Sequence, residues 1–98
     1  MTINTEINAN KAKLSLDSRL DTTTAPVLEA EVKGLPEEIT EIIIDMEKVA
    51  YVSSAGLRVL LATQKLMNKK GSLVITGVCE DVMEVFEMTG FADILTIE

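Results

Sequence analysis

Histidine is absent from this chain of 98 residues, and Cys79 is its only cysteine. Without histidine the chain lacks Ser-His-Asp and Cys-His catalysis, and the usual zinc ligand sets are missing as well. A single cysteine forms no disulfide within the chain, and its place after an apolar run predicts a small buried side chain. We therefore expect no metal ion and no other cofactor.

Basic residues, aromatic rings and glycine clusters are also scarce. The net charge is −7, from 9 basic and 16 acidic residues, which argues against binding to a phosphate backbone. Aromatic residues make up 3% of the chain, so few rings are available for stacking on bases or sugars. The five glycines are isolated from one another and spell no phosphate-binding loop. We therefore expect a protein that is not an enzyme and that has no nucleic-acid partner.

Long apolar runs are missing too. No stretch approaches the 18 apolar residues of a membrane span, and the N-terminal residues Met1–Glu6 have neither the basic region nor the apolar run of a signal peptide. The sequence therefore predicts a cytoplasmic protein without direct membrane insertion.

What is present suffices for one domain over residues 1–98. A chain of this length buries roughly 60 to 65% of its unfolded surface on folding, so a single apolar core can hold it together. The apolar fraction of 47% is ordinary, and the core must be built from Val, Ile, Leu, Ala and Met.

The first third of the chain predicts a hairpin and a helix. Apolar residues alternate with polar ones from Ile3 to Ile7 and from Ala12 to Leu16, with turn-forming residues between these segments. A helix is predicted from Ala25 to Lys33, because proline suits a first turn and glycine follows the last residue. Its apolar stripe consists of Val27, Leu28 and Val32.

The middle of the chain predicts a central strand and a long helix. The continuous isoleucine run within Ile39–Met46 is typical of a strand buried on both faces. A helix is predicted from Ser54 to Lys70, and its buried face is expected to carry Val59, Leu60, Ala62, Leu66 and Met67. Leu57 and Leu61 project toward the polar boundary and are expected to be partly exposed.

The last third predicts a strand, a helix and a closing strand. Ser72–Val78 is a second apolar run, Glu80 and Asp81 begin a helix that Gly90 ends, and Ile94–Ile97 follows as a short strand. The order β-β-α-β-α-β-α-β predicts an α/β fold with a mixed sheet of four to five strands and the helices mainly on one face.

Three polar features follow predicted strands: Asp21, Asp45 and the pair Ser53-Ser54. The carboxyl ends of strands in an open α/β sheet lie at one edge, where ligands bind, so these residues are expected to converge. A serine at a helix start favours an added phosphate, because free backbone N–H groups and the helix dipole attract negative charge there. The alternative is purely structural, with Asp21 and Ser54 capping helices and Asp45 anchoring a turn.

These segments resemble the STAS domain, and more narrowly the bacterial anti-sigma factor antagonists. The specific signal is the hydroxyl-Ala-Gly-Leu step at Ser54–Leu57, and the order and spacing of three further segments support it: Arg19–Asp21, Ile42–Asp45 and Met88–Phe91. The resemblance covers nearly the whole chain. It implies that Ser54 is the phosphoacceptor and that Asp21 lies beside it.

The resemblance also implies partners. An unphosphorylated antagonist binds an anti-sigma factor serine kinase, phosphorylation switches it off, and a serine phosphatase opposes the kinase. The expected contact residues lie at the start of the second helix and in the loop before the first: Asp21, Thr22, Ser53, Gly56, Leu57, Arg58 and Leu61. Gly56 is expected to permit close approach of the partner's backbone.

The sequence departs from the family pattern at two places. Well-known members carry Asp immediately before the phosphoserine, whereas this chain carries Ser53, which is therefore an alternative acceptor. The chain also ends at Glu98, where many relatives continue into a further helix. The first departure motivates an alternative function, a STAS scaffold that never cycles phosphate or a transporter-associated regulatory subunit. A small-ligand binding domain is a third possibility.

Overall fold

The hairpin at the N-terminus turns through Ala9, whose φ of 56° lies in the left-handed region. A computed structural model describes all residues, 1–98, and contains four strands and three α-helices. In chain order the elements are β1 (Ile3–Asn8), β2 (Lys11–Leu16), α1 (Ala25–Lys33), β3 (Glu41–Asp45), α2 (Ser54–Lys70), β4 (Ser72–Thr76) and α3 (Glu80–Thr89). A short 3₁₀ turn at Phe91–Asp93 follows α3.

The strands form one mixed sheet in the order β1-β2-β3-β4. β1 pairs antiparallel with β2, and β2, β3 and β4 pair parallel to one another. Leu14, Ile44 and Ile75 share one register row and are completely buried. Because α1 and α2 connect parallel neighbours, both helices cover the same face of the sheet. The predicted α/β architecture is confirmed.

The isoleucine run of β3 is covered on one face only. Ile42 and Ile44 are buried, whereas Ile43 between them is half-buried, as is Val74 beside it on β4. The prediction of a strand buried on both faces was therefore wrong. The three helices gather on one side of the sheet, so the opposite side of β3 lacks a helical layer.

The closing strand Ile94–Ile97 was predicted too long. Only an isolated bridge between Ile75 and Ile97 forms there, through hydrogen bonds from the Ile75 amide to Thr96 (2.8 Å) and from the Glu98 amide to Ile75 (2.8 Å). Gly90 ends α3 with a left-handed φ of 81°, as predicted, and the 3₁₀ turn Phe91–Asp93 lies between α3 and this bridge.

The buried face of α2 is rotated relative to the prediction. Thr63 and Gln64 are buried, whereas Ala62 is exposed and Leu66 is 43% exposed. Burial of Thr63 is tolerated because its hydroxyl donates to the Val59 carbonyl at 2.8 Å. On α1 the structure likewise leaves Val27 exposed, while Leu28 and Val32 enter the core.

None of the helices combines the length and the apolar character that crossing a membrane requires. Cys79 is half-buried rather than buried, and its thiol lies 3.6 Å from the Val49 carbonyl oxygen.

Candidate functional site

The β2–α1 loop and the start of α2 are held together by two backbone hydrogen bonds. The Leu20 amide donates to the Tyr51 carbonyl and the Ser53 amide donates to the Leu20 carbonyl, both at 2.9 Å. These bonds form a parallel bridge between Leu20 and Val52. The loop carrying Asp21 therefore lies against the segment carrying Ser53 and Ser54, as the sequence predicted for these two features.

Gly56 is part of the same junction. It is buried, and a Cβ atom at this position would lie 2.8 Å from both the Leu20 side chain and the Leu20 carbonyl oxygen. Glycine is required here because the first turn of α2 packs directly on Leu20. We expected Gly56 to leave room for a partner's backbone. In the structure the missing side chain instead makes room for Leu20 of the same chain.

The two serines at the start of α2 have different roles. Ser53 is the N-cap: its side-chain oxygen accepts a hydrogen bond from the Gly56 amide at 3.3 Å, and its carbonyl accepts the Leu57 amide at 2.9 Å. Ser54 is the first helical residue, is exposed, and its hydroxyl makes no hydrogen bond. Capping by Ser54, the structural alternative from the sequence, was therefore wrong.

Free backbone donors lie in the first turn of α2, which Ser54 begins. The amides of Ser54 and Ala55 belong to the first turn of α2 and have no backbone acceptor. Together with the helix dipole they make this position favourable for a negative group. The first turn of α2 contains no acidic side chain that already supplies one.

Asp21 organises the loop before α1. One of its carboxylate oxygens accepts hydrogen bonds from the Thr23 hydroxyl at 2.8 Å, the Thr23 amide at 3.0 Å and the Thr24 amide at 3.1 Å. The other oxygen lies 3.1 Å from Nε of Arg19. The Thr23 hydroxyl and these amides hold the pKa of Asp21 below its ordinary value of 3.8, although partial burial acts in the opposite direction. Asp21 is therefore a fixed negative charge.

Arg19 links this loop to the segment before α2. Its guanidinium carbon lies 5.0 Å from the centre of the Tyr51 ring, and Tyr51 is 47% exposed. Thr22, next to Asp21, is exposed. These residues form a polar surface beside Ser54.

Asp45 does not join this cluster. Its carboxylate accepts the Glu47 amide at 2.9 Å and lies against Gly77, so it anchors the turn after β3. No hydrogen bond connects it with Asp21 or with the serines. Of the three polar features predicted to converge, the structure brings two together and assigns the third to a turn.

The remaining expected contact residues differ in exposure. Arg58 is exposed, Leu61 is half-buried, and Leu57 is only 8% exposed. The prediction of a partly exposed side chain is confirmed for Leu61 and wrong for Leu57, which faces the core. Sequence reasoning missed Arg19 and Tyr51, whose contact depends on the bridge between Leu20 and Val52 and has no signal in local spacing.

Comparison with known proteins gives a consistent result. Residues 2–98 match the model of the STAS domain family. The chain is 32% identical over 100 residues to the anti-sigma-B factor antagonist of Bacillus subtilis (strain 168), with 99% of this chain and 92% of that protein covered. It is 30% identical over 87 residues to the anti-sigma-B factor antagonist of Staphylococcus aureus (strain NCTC 8325 / PS 47), covering 87% of this chain and 81% of that protein.

Solved structures share the fold. An anti-sigma factor antagonist from Mycobacterium paratuberculosis superposes with a TM-score of 0.86 at 22% identity, covering 98% of this chain and 83% of that one. The anti-sigma factor antagonist SpoIIAA superposes with TM-scores of 0.81 in its unphosphorylated form and 0.76 in its phosphorylated form, at 17% and 16% identity. These two comparisons cover 99% of this chain and 88% and 91% of the SpoIIAA chains. The chain therefore belongs to the STAS domain family, and the two curated relatives named above are anti-sigma-B factor antagonists.

Proposed function

We propose that this protein is an anti-sigma factor antagonist controlled by phosphorylation of Ser54. In its unmodified state it binds a serine kinase of the anti-sigma factor type, and phosphorylation releases that partner. The observation that carries the proposal is the contrast between the two serines, because Ser53 is occupied as the N-cap while the Ser54 hydroxyl is exposed and free. The names of the relatives, and the phosphorylated form of SpoIIAA, support the same role.

The position of Ser54 suits a phosphate without a change of fold. A phosphoserine carries about −1.5 to −2 charges at pH 7, on a chain whose net charge is already −7. The free amides of Ser54 and Ala55 and the helix dipole stabilise this charge locally by about 0.3–1 kcal/mol. The modified protein is therefore expected to stay folded.

The effect on a partner is the opposite. A partner surface that is complementary to a neutral hydroxyl meets a dianion after phosphorylation, close to the fixed carboxylate of Asp21. Removing an unpaired dianion from water at such an interface costs several kcal/mol, which exceeds the local stabilisation by the helix start. Release from the partner is thus the dominant consequence, and a serine phosphatase reverses it.

The contact surface follows from exposure. Thr22 and Arg58 are exposed and Leu61 is half-buried, so their side chains reach a docked partner directly. Four less exposed residues support the same surface from the side of the core: Asp21, Ser53, Gly56 and Leu57. Their roles in binding are part of this proposal. The proposed role is regulatory rather than catalytic, and the names of the curated relatives support it.

Phosphorylation is tested with the serine kinase encoded nearest to this gene. The wild-type chain is incubated with that kinase and ATP, and mass spectrometry compares it with Ser54→Ala and Ser53→Ala. We expect one phosphate on wild type and on Ser53→Ala, and none on Ser54→Ala. Phosphate retained by Ser54→Ala and lost from Ser53→Ala moves the acceptor to Ser53.

Binding is tested separately by calorimetry with the same kinase. Ser54→Asp places a charge at the acceptor position, so we expect its affinity to fall at least tenfold. The matched control is Ser54→Asn, which is similar in size and neutral. Equal affinities of the Asp and Asn variants contradict a gate that works by charge.

A second candidate function is a STAS scaffold or transporter-associated subunit that never cycles phosphate. The observation that favours it is Ser53, which stands where well-studied antagonists carry Asp. This function predicts a gene beside transporter or scaffold genes, and no phosphate on the protein isolated from its own cells.

A further inference from the structure

A continuous groove runs between α1 and α2. It begins beside Thr22, Ala55 and Arg58 at the start of α2, passes Glu29 and Lys33 on α1, and ends at Leu35 and Lys70. The volume is about 410 Å³ at the first end, about 60 Å³ in the narrow middle and about 280 Å³ at the far end. Both helices start at the same end, so the groove follows two parallel helix axes.

The floor of the groove is apolar and its edge is uncovered. Val32, Val59 and Ala62 line it, and Leu66 lies in both the middle and the far end. Leu66 is 43% exposed and Ala62 is exposed, although both belong to the apolar pattern of α2. Ala62 and Leu66 are small enough to let a third helix approach the two packed helices at the usual axial distance of about 8–10 Å.

Charge is strongly segregated around this groove. α2 carries four basic residues and no acidic one, Arg58, Lys65, Lys69 and Lys70, which gives it a charge of +4. The rest of the chain holds the other 5 basic and all 16 acidic residues, so its charge is −11. None of the four basic residues of α2 takes part in the three ion pairs of the structure.

Each end of the groove has a basic residue of α2 without an ion-pair partner. Arg58 lines the first end together with Glu29, and Lys70 lines the far end together with Lys33 and Glu37. In the middle, the carboxylate of Glu29 lies 3.6 Å from Lys33 Nζ, so its charge is compensated within α1. Arg58 and Lys70 are 12 positions apart on α2, which corresponds to about 18 Å along the helix axis.

We propose that the groove between α1 and α2 binds an acidic amphipathic helix of a partner protein. Its apolar side chains pack on Ala62 and Leu66, and carboxylates about three turns apart meet Arg58 and Lys70. Helices that bind in grooves present such apolar anchors at intervals of three and four residues. The groove shares Thr22 and Arg58 with the surface around Ser54, but it extends along α1 and α2 to Leu35 and Lys70, so this proposal goes beyond the proposed function.

A second copy of this chain is a less suitable occupant. Its α3 is acidic, with Glu80, Asp81, Glu84 and Glu87 and no basic residue. Of its apolar residues, Val82 and Phe86 are buried in their own core, Met83 and Val85 are half-buried, and only Met88 is exposed. A single exposed side chain does not supply the row of apolar anchors that a helix in this groove needs.

The test uses the full chain labelled with ¹⁵N and a synthetic helical peptide. The peptide has about four turns, Glu in the first and last turn, and Leu and Ala along one face. Amide NMR is expected to show shifts at Val59, Ala62 and Leu66, with an affinity that falls steeply as salt is raised. A peptide with Lys in place of Glu is expected to bind at least tenfold more weakly.

Variants assign the charge effect to the groove. The double variant Arg58→Glu/Lys70→Glu is expected to bind the acidic peptide at least tenfold more weakly than wild type. Lys13→Glu/Lys48→Glu changes the net charge equally at exposed positions outside the groove and is expected to retain most of the affinity. Far-UV circular dichroism verifies that both double variants are folded.

Three results overturn the proposal: equal binding of the acidic and basic peptides, amide shifts located outside the groove, and no binding at all.

Sedimentation of the chain alone tests whether a second copy of the chain occupies the groove. A dimer that Arg58→Glu/Lys70→Glu abolishes assigns the groove to self-association instead. Phosphorylation of Ser54 by a kinase is not needed in any of these measurements, so failure here is separable from failure of the proposed function.

Discussion

The carbonyl oxygen of Leu20 accepts a hydrogen bond from the Ser53 amide at 2.9 Å, and this bond fixes the loop of Asp21 against the start of α2. The first turn of α2 lies so close to Leu20 that Gly56 has no room for a side chain. The position of Ser54 is therefore set by a contact between residues more than thirty positions apart. This junction determines what substitutions at the site are expected to do.

Gly56→Ala is expected to destabilise the protein. The added Cβ lies 2.8 Å from the Leu20 carbonyl oxygen, a backbone atom that cannot move without disturbing the Leu20–Val52 bridge. Overpacking of this kind costs about 1–3 kcal/mol of unfolding free energy. Urea unfolding followed by circular dichroism measures it.

The control for this variant is Gly34→Ala at the end of α1. Gly34 has a φ of −82°, which alanine adopts readily, and its added Cβ lies no closer than 3.3 Å to a neighbouring atom. We expect its unfolding free energy to stay within about 0.5 kcal/mol of wild type. Equal stability of the two variants contradicts the close contact at Leu20.

The Asp21 carboxyl is expected to titrate below its ordinary pKa of 3.8, because the Thr23 hydroxyl and two amides bind its ionised form. A pKa that is lower in the folded than in the unfolded state stabilises the fold above about pH 4, and this contribution is lost as the pH falls through the folded pKa. Carbon-detected NMR titration of the carboxyl group measures the midpoint.

Thr23→Val removes the hydroxyl and keeps the side-chain shape, so it is expected to raise the Asp21 midpoint. Thr22→Val is the matched control, since the Thr22 side chain does not bind Asp21. A midpoint that responds equally to both changes argues against the Thr23 hydrogen bond as the main cause of the low pKa.

Much of the helical structure was predictable from local signals. The observed bounds of α1 and α2 are the predicted ones, because Pro26, Gly34 and Gly71 mark helix ends by their backbone chemistry. Which residues of α2 face the core was not predictable from such local signals. Thr63 is buried because its hydroxyl bonds to its own helix, and apolar periodicity does not register this possibility.

The candidate site was predictable in its members but not in their roles. Spacing placed Asp21 and the serines at one edge of the sheet, and the structure brings them together there. Which serine caps the helix depends on a single position of register at the N-terminus of α2. The burial of Gly56 depends on Leu20, a tertiary neighbour that no local pattern around the glycine identifies.

Arg58 is expected to interact with a phosphate on Ser54. The two residues are four positions apart on α2 with the acidic group first, and helical side chains point toward the N-terminus. Such pairs contribute about 0.2–0.5 kcal/mol, so Arg58→Gln should raise the second pKa of the phosphate by about 0.2–0.4 units. Phosphorus NMR titration of protein made with phosphoserine at position 54 measures it.

Lys65→Gln provides the comparison for Arg58→Gln. It removes the same charge from the same helix at a position eleven residues from Ser54, beyond direct contact. An equal shift in the two variants indicates a general effect of net charge and contradicts pairing with Arg58.

Ser53 is expected to stabilise α2 as its N-cap, and Ser54 is expected to accept the phosphate without contributing to stability. Ser53→Ala removes the oxygen that accepts the Gly56 amide, so the unfolding free energy should fall by about 0.5–2 kcal/mol. Ser54→Ala removes no hydrogen bond and should change stability by less than about 0.5 kcal/mol. Ser53→Asp keeps a good cap and should be as stable as wild type. Urea unfolding of the three variants measures this order. If Ser54→Ala costs as much as Ser53→Ala, Ser54 has a structural role, and the division that leaves its hydroxyl free for a kinase does not hold.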